Sequence, residues 1–543
     1  MLSAAALAVV IMLALAFYMP RRSARWLHGA ERLLARLGRR RVLAMVLVGA
    51  LAFAGSAMVA LLGRVPVPAI HDEFSYLLAA DTFASGRLAN PPHPLWVQFE
   101  SMHIIHQPTY ASKYPPGQGL ALAAGQALGG HPIVGVWISM GLLAAALTWM
   151  LQAWLPPAWA LLGGLLAVVR PGIFSYWAQS YWGGAVAALG GALLFGALRR
   201  LVRRPRVREA LLLGLGLAIL ANSRPFEGFL ASLPAGAVLL RWLVSKTGPA
   251  RGIAIRQVVG PLIGVLALTA GSMAIYNLRV TGHPLRLPYQ VHQAAYAITP
   301  GFLWQRPKPV PRYSHRAIRD HHARAELSFL HQRSLTGWAR KRVEEFRGLW
   351  RFYLGPALTV ALVMLPWALK DRWMRLAGLT CGLVVLGLLV ETWTWPHYAA
   401  PITGLLLALA LQAMRRLRLW RWRGKPAGRS MVWAILLLCV ALAPQARSEP
   451  QYWSLERAGF LAWLEEAGER HLVVVRYWPG HDPDAEWVYN AADIDGAKVV
   501  WAREMDAARN RELLDYFKDR RAWLLEADAA PPSLTPYLIE SAP

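Results

Sequence analysis

The segment "RVLAMVLVGALAFAGSAMVALLGRVPVPAIHDEFSYLLAADTFASGRL" (residues 41–88) joins two contrasting kinds of sequence. Its apolar run over 42–63 has about the 20 residues that a helix needs to cross a bilayer. A short connection leads to His71, Asp72 and Glu73, which begin a stretch with amphipathic helical spacing. The order predicts a membrane span followed by a helix that lies at the membrane surface. An acidic pair at this position in a basic, apolar chain calls for an explanation.

The rest of the chain repeats the apolar character of that first run. Of its 543 residues, 56% are hydrophobic and only 16% are charged, an apolar share above that of soluble domains. The composition predicts an all-helical polytopic membrane protein with about twelve spans. The candidate spans are residues 2–19, 42–63, 132–153, 157–170, 183–198, 209–223, 229–243, 258–277, 356–370, 376–391, 402–413 and 430–446.

The positive charge lies mainly in short connections between these runs. A net charge of +27 would also suit a nucleic-acid-binding protein. Arginines in short loops are, however, what the positive-inside rule produces, so we expect no nucleic-acid partner. The Arg-rich connections are residues 21–41, 199–208, 241–257, 370–375 and 415–429. Placing all of them in the cytoplasm agrees with the predicted number of spans and puts both chain ends outside.

This topology divides the chain into three predicted parts. Residues 1–41 form an extra N-terminal transmembrane helix, taken as retained, with a basic cytoplasmic loop. Residues 42–446 form the membrane domain, with outer loops at 64–131 and 278–355. Residues 447–543 form a small extracytoplasmic α/β domain. Its strands are predicted at the short buried runs 471–478, 496–502 and 521–527. We expect a bacterial-type inner (plasma) membrane location.

The acidic pair has a simple structural interpretation, because carboxylates at a helix start favour the helix dipole. The rest of the first outer loop argues for more than a cap. It is rich in Pro, His and Tyr, and "YPPGQG" (114–119) leads into the next helix. Such a loop around one acidic pair predicts a binding surface.

Several motifs occur in an order that resembles a known superfamily. They are the Asp-Glu pair with Tyr76, Ala80 and Gly86, then Tyr-Pro-Pro-Gly, Gly-His-Pro, "NSRPFEGF" (222–229) and "WPHYAAP" (395–401). Over roughly residues 42–413 the chain resembles the GT-C class of integral-membrane glycosyltransferases. It is most similar in pattern to the protein mannosyltransferase-like and aminoarabinose-transferase-like branches.

The resemblance implies a sugar donor on a polyprenyl phosphate or pyrophosphate and a lipid, glycan or protein acceptor at the outer face. By position it makes Asp72 the catalytic residue, as general base or metal ligand, with Glu73 as its neighbour. Glycosyl transfer also needs positive charge near the leaving phosphate. The predicted donor-phosphate and substrate-binding residues are Lys113, Tyr114, Arg224, Arg279, His283, His397 and Tyr398. For Arg224 the structural alternative is a tie to Glu227.

The chain departs from the family pattern at "RPGIFSYWAQSYWGGA" (170–185), which holds no second acid. No cofactor is therefore certain, and a divalent metal (Mg or Mn) stays a possibility. Its candidate ligands are Asp72, His103 and His106, because the spacing of "HIIH" would suit a metal on a helix. The alternative is that these histidines are ordinary surface residues.

Two rival functions remain open. An O-antigen-ligase-like transferase would rely on Arg and His in the loop 278–355, among them His315, His321 and His322; the same loop could instead lie on anionic lipid headgroups. A lipid-linked oligosaccharide transporter would show repeated halves, and no repeat is evident. The acidic run 480–496 only loosely resembles a calcium loop and is interpreted as a polar surface loop.

Overall fold

The computed structural model describes residues 20–246, 248–446 and 450–538. The predicted span 2–19 lies outside the described residues. The helices are α1 (Pro20–Arg39), α2 (Arg41–Leu62), α3 (His71–Ala84), α4 (Pro116–Gly129), α5 (Pro132–Trp154), α6 (Pro157–Val169), α7 (Ala185–Leu201), α8 (Val207–Ala221), α9 (Pro225–Val244), α10 (Arg251–Thr281), α11 (Pro288–Tyr296), α12 (Arg316–His331), α13 (Leu335–Tyr353), α14 (Gly355–Ala368), α15 (Arg372–Leu388), α16 (Thr403–Leu417), α17 (Ala427–Ala441), α18 (Tyr452–Glu466) and α19 (Ala507–Tyr516). The strands are β1 (Ile104–Ile105), β2 (Ala111–Ser112), β3 (His471–Arg476), β4 (Val499–Arg503), β5 (Arg521–Glu526) and β6 (Ser533–Pro536).

Every predicted span within the described residues coincides with a helix. By length and composition, five helices can cross a membrane: α2, α5, α9, α10 and the segment Pro396–Leu417 that contains α16. A sixth is added if α13 and α14, which meet at an 81° bend, count as one broken span. Since α6 and α17 are apolar but shorter, the number of about twelve spans stays a prediction.

The connections between helices contact one another in two groups. In the Arg-rich group, Glu31 pairs with Arg418 at 2.8 Å and with Arg429 at 3.0 Å. In the other group, the Gly117 amide donates to the Asn222 carbonyl at 2.8 Å, which ties the first predicted outer loop to the turn before α9. Each contact joins connections that the topology assigns to the same side of the membrane.

The C-terminal part forms the predicted α/β sheet. Its strand order is β4-β3-β5-β6; β3 is parallel to β4 and β5, and β6 is antiparallel to β5. One face packs Val473 and Val475 under α18. The other face, with Leu472 and Val474, shares a hydrophobic core with Phe74 and other residues of the first loop. The sheet is therefore built onto the loop that carries the acidic pair.

Candidate functional site

Glu73 closes the start of α3. Its Oε2 accepts the amides of Ala69 at 2.8 Å and Ile70 at 3.3 Å, and its Oε1 accepts the amide of Tyr181 at 2.9 Å. Burial raises the pKa of the Glu73 carboxyl to about 7, against the lowering effect of these amides. The capping interpretation thus describes Glu73, whose two oxygens are both occupied by backbone groups.

Asp72 faces a different set of groups. The Tyr114 hydroxyl donates to Oδ1, and His103 Nδ1 lies 3.5 Å from Oδ2. Burial opposes ionisation, but His103, Lys113 and the Tyr114 hydrogen bond together hold the pKa of the Asp72 carboxyl below its ordinary range. Its side chain keeps 25% exposure. Asp72 is therefore an ionised carboxylate that an incoming group can still reach.

A buried cation lies beside this carboxylate. Lys113 Nζ is 5.0 Å from the ring centre of Tyr114 and 5.7 Å from that of Tyr289. Burial lowers the pKa of Lys113 to about 8, while Asp72 acts in the opposite direction. Within the described residues Lys113 forms no ion pair with a carboxylate, so its charge is available to a ligand.

Arg224 is a second cation of the site, with Glu227 and Tyr398 as its partners. Its Nη1 is 3.6 Å from Glu227 Oε1, and its guanidinium lies 4.2 Å from the ring centre of Tyr398. Arg224 therefore forms both the ion pair with Glu227 and a stacking contact with Tyr398, a predicted substrate-binding residue. Tyr76 lies close to both groups of residues, because its ring stacks on Tyr114 at 4.5 Å and its hydroxyl interacts electrostatically with Arg224 and Asp72.

His397 belongs to an aromatic wall next to Tyr398. Its Nδ1 and the Tyr176 hydroxyl are hydrogen-bonded at 3.0 Å, and its ring centre lies 4.6 Å from the Trp182 ring. Trp182 comes from the connection 170–185, where the family pattern would have an acid. Aromatic rings occupy this part of the site.

Two of the predicted phosphate-binding residues are exposed at the end of α10. Arg279 is exposed, and His283 Nδ1 accepts a hydrogen bond from the amide of Leu285 at 3.2 Å. In the described part of the chain, no hydrogen bond or ion pair joins either residue to Asp72. Their roles stay predictions.

The expected metal trio of Asp72, His103 and His106 does not form a group. "HIIH" is not helical: β1 separates the two histidines, and His103 has a left-handed φ of 64°. The His106 Nε2 instead accepts the amide of Ser101 at 3.2 Å. Among the described residues, the group whose ligand atoms all lie within 4.8 Å of one another is His71, His321 and Asp484.

The second predicted outer loop also reaches this region. The His292 ring centre lies 6.0 Å from that of His103, and the His321 ring centre lies 5.0 Å from that of His71. α11 also borders a basic cavity of about 470 Å³. The cavity is lined by Arg286, Gln290, Gln293, Pro300, Gln305, Arg306 and Lys308.

Sequence analysis missed the contribution of the C-terminal part. The Tyr489 hydroxyl is hydrogen-bonded to His71 Nδ1 at 2.8 Å, and Asp484 Oδ1 lies 3.6 Å from His71 Nε2. Both residues come from the run interpreted as a polar surface loop. The acidic character of that run was the only available signal, because no local pattern links residues more than 400 positions apart.

Comparisons with known proteins find similarity at the level of structure. No protein-family model and no curated protein sequence matches the chain. The Archaeoglobus fulgidus oligosaccharyltransferase complex with Zn and sulfate has 12% identity and a TM-score of 0.47, covering 82% of this chain and 62% of that chain. ArnT from Cupriavidus metallidurans in the apo state has 12% identity and a TM-score of 0.47, covering 87% of this chain and 92% of that chain. ArnT bound to undecaprenyl phosphate has 11% identity and a TM-score of 0.44, covering 89% and 92%. The chain thus spans less than two thirds of the archaeal oligosaccharyltransferase in its complex with Zn and sulfate.

Proposed function

We propose that the chain is a GT-C-type glycosyltransferase that moves a sugar from a polyprenyl-phosphate carrier to a lipid, glycan or protein acceptor outside the membrane. The observation that carries the proposal is the ionised Asp72 beside the buried cation Lys113, a short distance along the chain from the end of α2. A carrier chain must remain in lipid, so its sugar has to react at the membrane edge. At that edge the negative charge of Asp72 suits the acceptor, which loses a proton, and the positive charge of Lys113 suits the leaving phosphate.

In the proposed step, an oxygen or nitrogen of the acceptor attacks the anomeric carbon of the sugar. The bond from that carbon to the carrier phosphate breaks, and the phosphate leaves with the bonding electrons. Asp72 takes the proton that the acceptor loses. Lys113 and Arg224 stabilise the charge that develops on the leaving phosphate.

The remaining residues have supporting roles in this proposal. Tyr114 orients Asp72 through its hydroxyl. His397 and Tyr398 line the sugar side of the site, and Glu73 holds the start of α3 in place. The finer topology belongs to the same proposal: about twelve spans in an inner membrane, with the first outer loop and the C-terminal sheet outside.

A ligase-like transferase remains a second candidate, because a histidine of the second outer loop contacts a histidine of the first outer loop. His321 lies next to His71, although the two are 250 positions apart in sequence. Such an enzyme would also use a lipid-linked donor, but would depend on His315, His321 or His322 rather than on Asp72.

The test is donor turnover, measured by mass spectrometry on purified protein with a panel of polyprenyl-phosphate sugars. We expect Asp72→Asn to lower turnover by about 10²–10⁴-fold, the usual contribution of a positioned acid or base. Asp519→Asn is the matched control, because Asp519 is an exposed carboxylate on the C-terminal sheet domain.

Full turnover in Asp72→Asn would remove Asp72 from the mechanism. Loss confined to changes at His315, His321 or His322 would favour the ligase-like enzyme. Absence of turnover with every donor, in protein that binds the carrier lipid, would count against an enzyme.

A further inference from the structure

Three separate parts of the chain bring potential metal ligands together next to Asp72. His71 is the first residue of α3, His321 lies on α12, and Asp484 lies in the loop between β3 and β4. Asp484 Oδ1 is 3.6 Å from His71 Nε2 and 3.8 Å from His321 Nδ1. The three ligand atoms all lie within 4.8 Å of one another.

The His71 ring is held in the orientation that a metal ligand needs. Its Nδ1 is hydrogen-bonded to the Tyr489 hydroxyl at 2.8 Å, and the Tyr489 ring stacks on Phe74 at 4.0 Å. The opposite atom, Nε2, is buried and has no hydrogen-bond partner among the described residues. Metal-bound histidines commonly use one ring nitrogen for such a partner and the other for the metal. A buried nitrogen left without a partner is otherwise costly.

The distances distinguish this group from ordinary hydrogen bonds. A nitrogen and an oxygen that share a hydrogen bond are about 2.7–3.2 Å apart. Two ligands on a tetrahedral zinc ion, with bonds of about 2.0–2.2 Å, lie about 3.3–3.5 Å apart. The observed 3.6 and 3.8 Å are nearer to the second arrangement. The Asp484 side chain is 67% exposed, so a small movement of its carboxylate would bring the ligand atoms to the spacing of a tetrahedral zinc site.

The donor atoms also indicate the kind of metal. Two imidazole nitrogens and one carboxylate oxygen suit zinc and related transition metals, whereas magnesium prefers oxygen ligands. Three protein ligands leave a fourth position for water or substrate. The set therefore differs from the Mg or Mn site expected from Asp72, His103 and His106, both in its residues and in its metal.

We propose that His71, His321 and Asp484 bind one Zn²⁺-type ion, which fastens the C-terminal sheet domain and the second loop to the start of α3. The ion would fix the position of His71 and so of the helix turn that carries Asp72. Tyr489 acts as a positioning residue for the His71 ring. The site stands on these contacts alone and does not depend on the proposed sugar transfer.

The test measures bound metal in the full-length protein, stripped with a chelator, reloaded with Zn²⁺ and desalted. We expect about one equivalent in the wild type, as for a three-ligand site. His71→Gln, His321→Ala and Asp484→Asn should each lose it, and Tyr489→Phe should weaken Zn²⁺ affinity by about 10–100-fold. Zn²⁺ should raise the melting temperature of the wild type but not that of the three ligand variants.

Matched controls are His331→Ala, an exposed histidine on the same helix as His321, and Asp515→Asn, an exposed acid on α19. Both should bind Zn²⁺ like the wild type. Co²⁺ loading gives a second measurement on the same proteins, since its visible absorption reports the ligand geometry. A wild type that takes up no metal, or ligand variants that bind as much Zn²⁺ as the controls, would overturn the site whatever the outcome of the turnover assay.

Discussion

At the scale of single residues, His71, Asp72 and Glu73 divide into three functions. Successive residues of a helix point about 100° apart, so three neighbours at its start face three different surroundings. His71 faces the C-terminal sheet domain, Asp72 faces Lys113 and Tyr114, and Glu73 faces backbone amides. The two carboxylates are adjacent in sequence but have different partners and opposite pKa shifts.

Sequence analysis could single out this segment but not separate its members. Asp72, Lys113 and Tyr114 lie in one loop with a family-like pattern, so they could be proposed together. The different roles of Asp72 and Glu73 depend on the Tyr181 amide, which lies in the connection 170–185 and donates to the Glu73 carboxylate. Such a contact follows from helix packing and leaves no trace in local spacing.

Lys113 supplies a prediction about pH. Burial lowers its pKa to about 8, with Asp72 opposing the shift, so the ammonium loses its proton as the pH rises through about 8. We expect the KM for the lipid-linked donor to rise over that window, because the attraction for phosphate is lost. Lys113→Arg keeps its charge and should keep a flat KM, whereas Lys113→Met should have a raised KM at every pH. The measurement is KM for donor against pH, and an unchanged wild-type KM from about pH 7 to about pH 9 would contradict the role of Lys113.

At the scale of elements, α3 is fixed at its first turn. Glu73 joins the entry into the helix, at Ala69 and Ile70, to the connection before α7, at Tyr181. Phe74, in the same turn, packs on the C-terminal sheet domain. The position of Asp72 therefore depends on membrane helices on one side and on the sheet domain on the other.

Glu73 supplies a prediction about stability. Burial raises its pKa from 4.5 to about 7, so between these values the folded state binds more protons than the unfolded state. Stability from this group is then present at low pH and is lost as the pH rises through about 7. A shift of this size corresponds to about 3 kcal/mol in the free energy of unfolding.

The test compares melting temperatures at about pH 5 and about pH 7. The wild type should lose more stability over this interval than Glu73→Gln, which no longer titrates. Glu512→Gln, at an exposed position on α19, is the control and should behave like the wild type. Equal pH dependence in all three proteins would show that the Glu73 carboxyl does not titrate in this range.

At the scale of the whole molecule, the fold class follows from the sequence more directly than the assembly of its parts. Long apolar runs predict helices because a membrane leaves the backbone few other solutions. The strands β3, β4 and β5 were predicted because buried parallel strands are nearly continuous apolar runs. An apolar run predicts that a strand is buried, but it does not indicate which part of the chain covers each face of the sheet. The packing of Leu472 and Val474 on the first loop could therefore not be predicted.

This shared core also alters the meaning of the predicted boundary at residue 447. The prediction divides the chain there into a membrane part and a C-terminal part, but one hydrophobic core includes residues from both sides of that boundary. Tyr110 donates to the Asn490 carbonyl at 3.1 Å, and the Asp81 carboxylate accepts the Ala492 amide at 2.7 Å. The C-terminal sheet is therefore continuous with the loop that holds the candidate site.

The final prediction concerns residues 450–538 produced alone. Without the first loop, the face of the sheet that carries Leu472, Val474 and Val500 loses its cover and becomes exposed to water. A domain of this size buries too little surface to tolerate that loss easily. We expect the fragment to bind a hydrophobic dye and to unfold without a cooperative transition, as followed by fluorescence and circular dichroism. Fusing residues 64–131 to the fragment should restore a cooperative transition and reduce dye binding, because it returns Phe74 and Phe99 to that face. A fragment that melts cooperatively and excludes the dye on its own would instead make the C-terminal sheet an independent domain, docked on the loop rather than built with it.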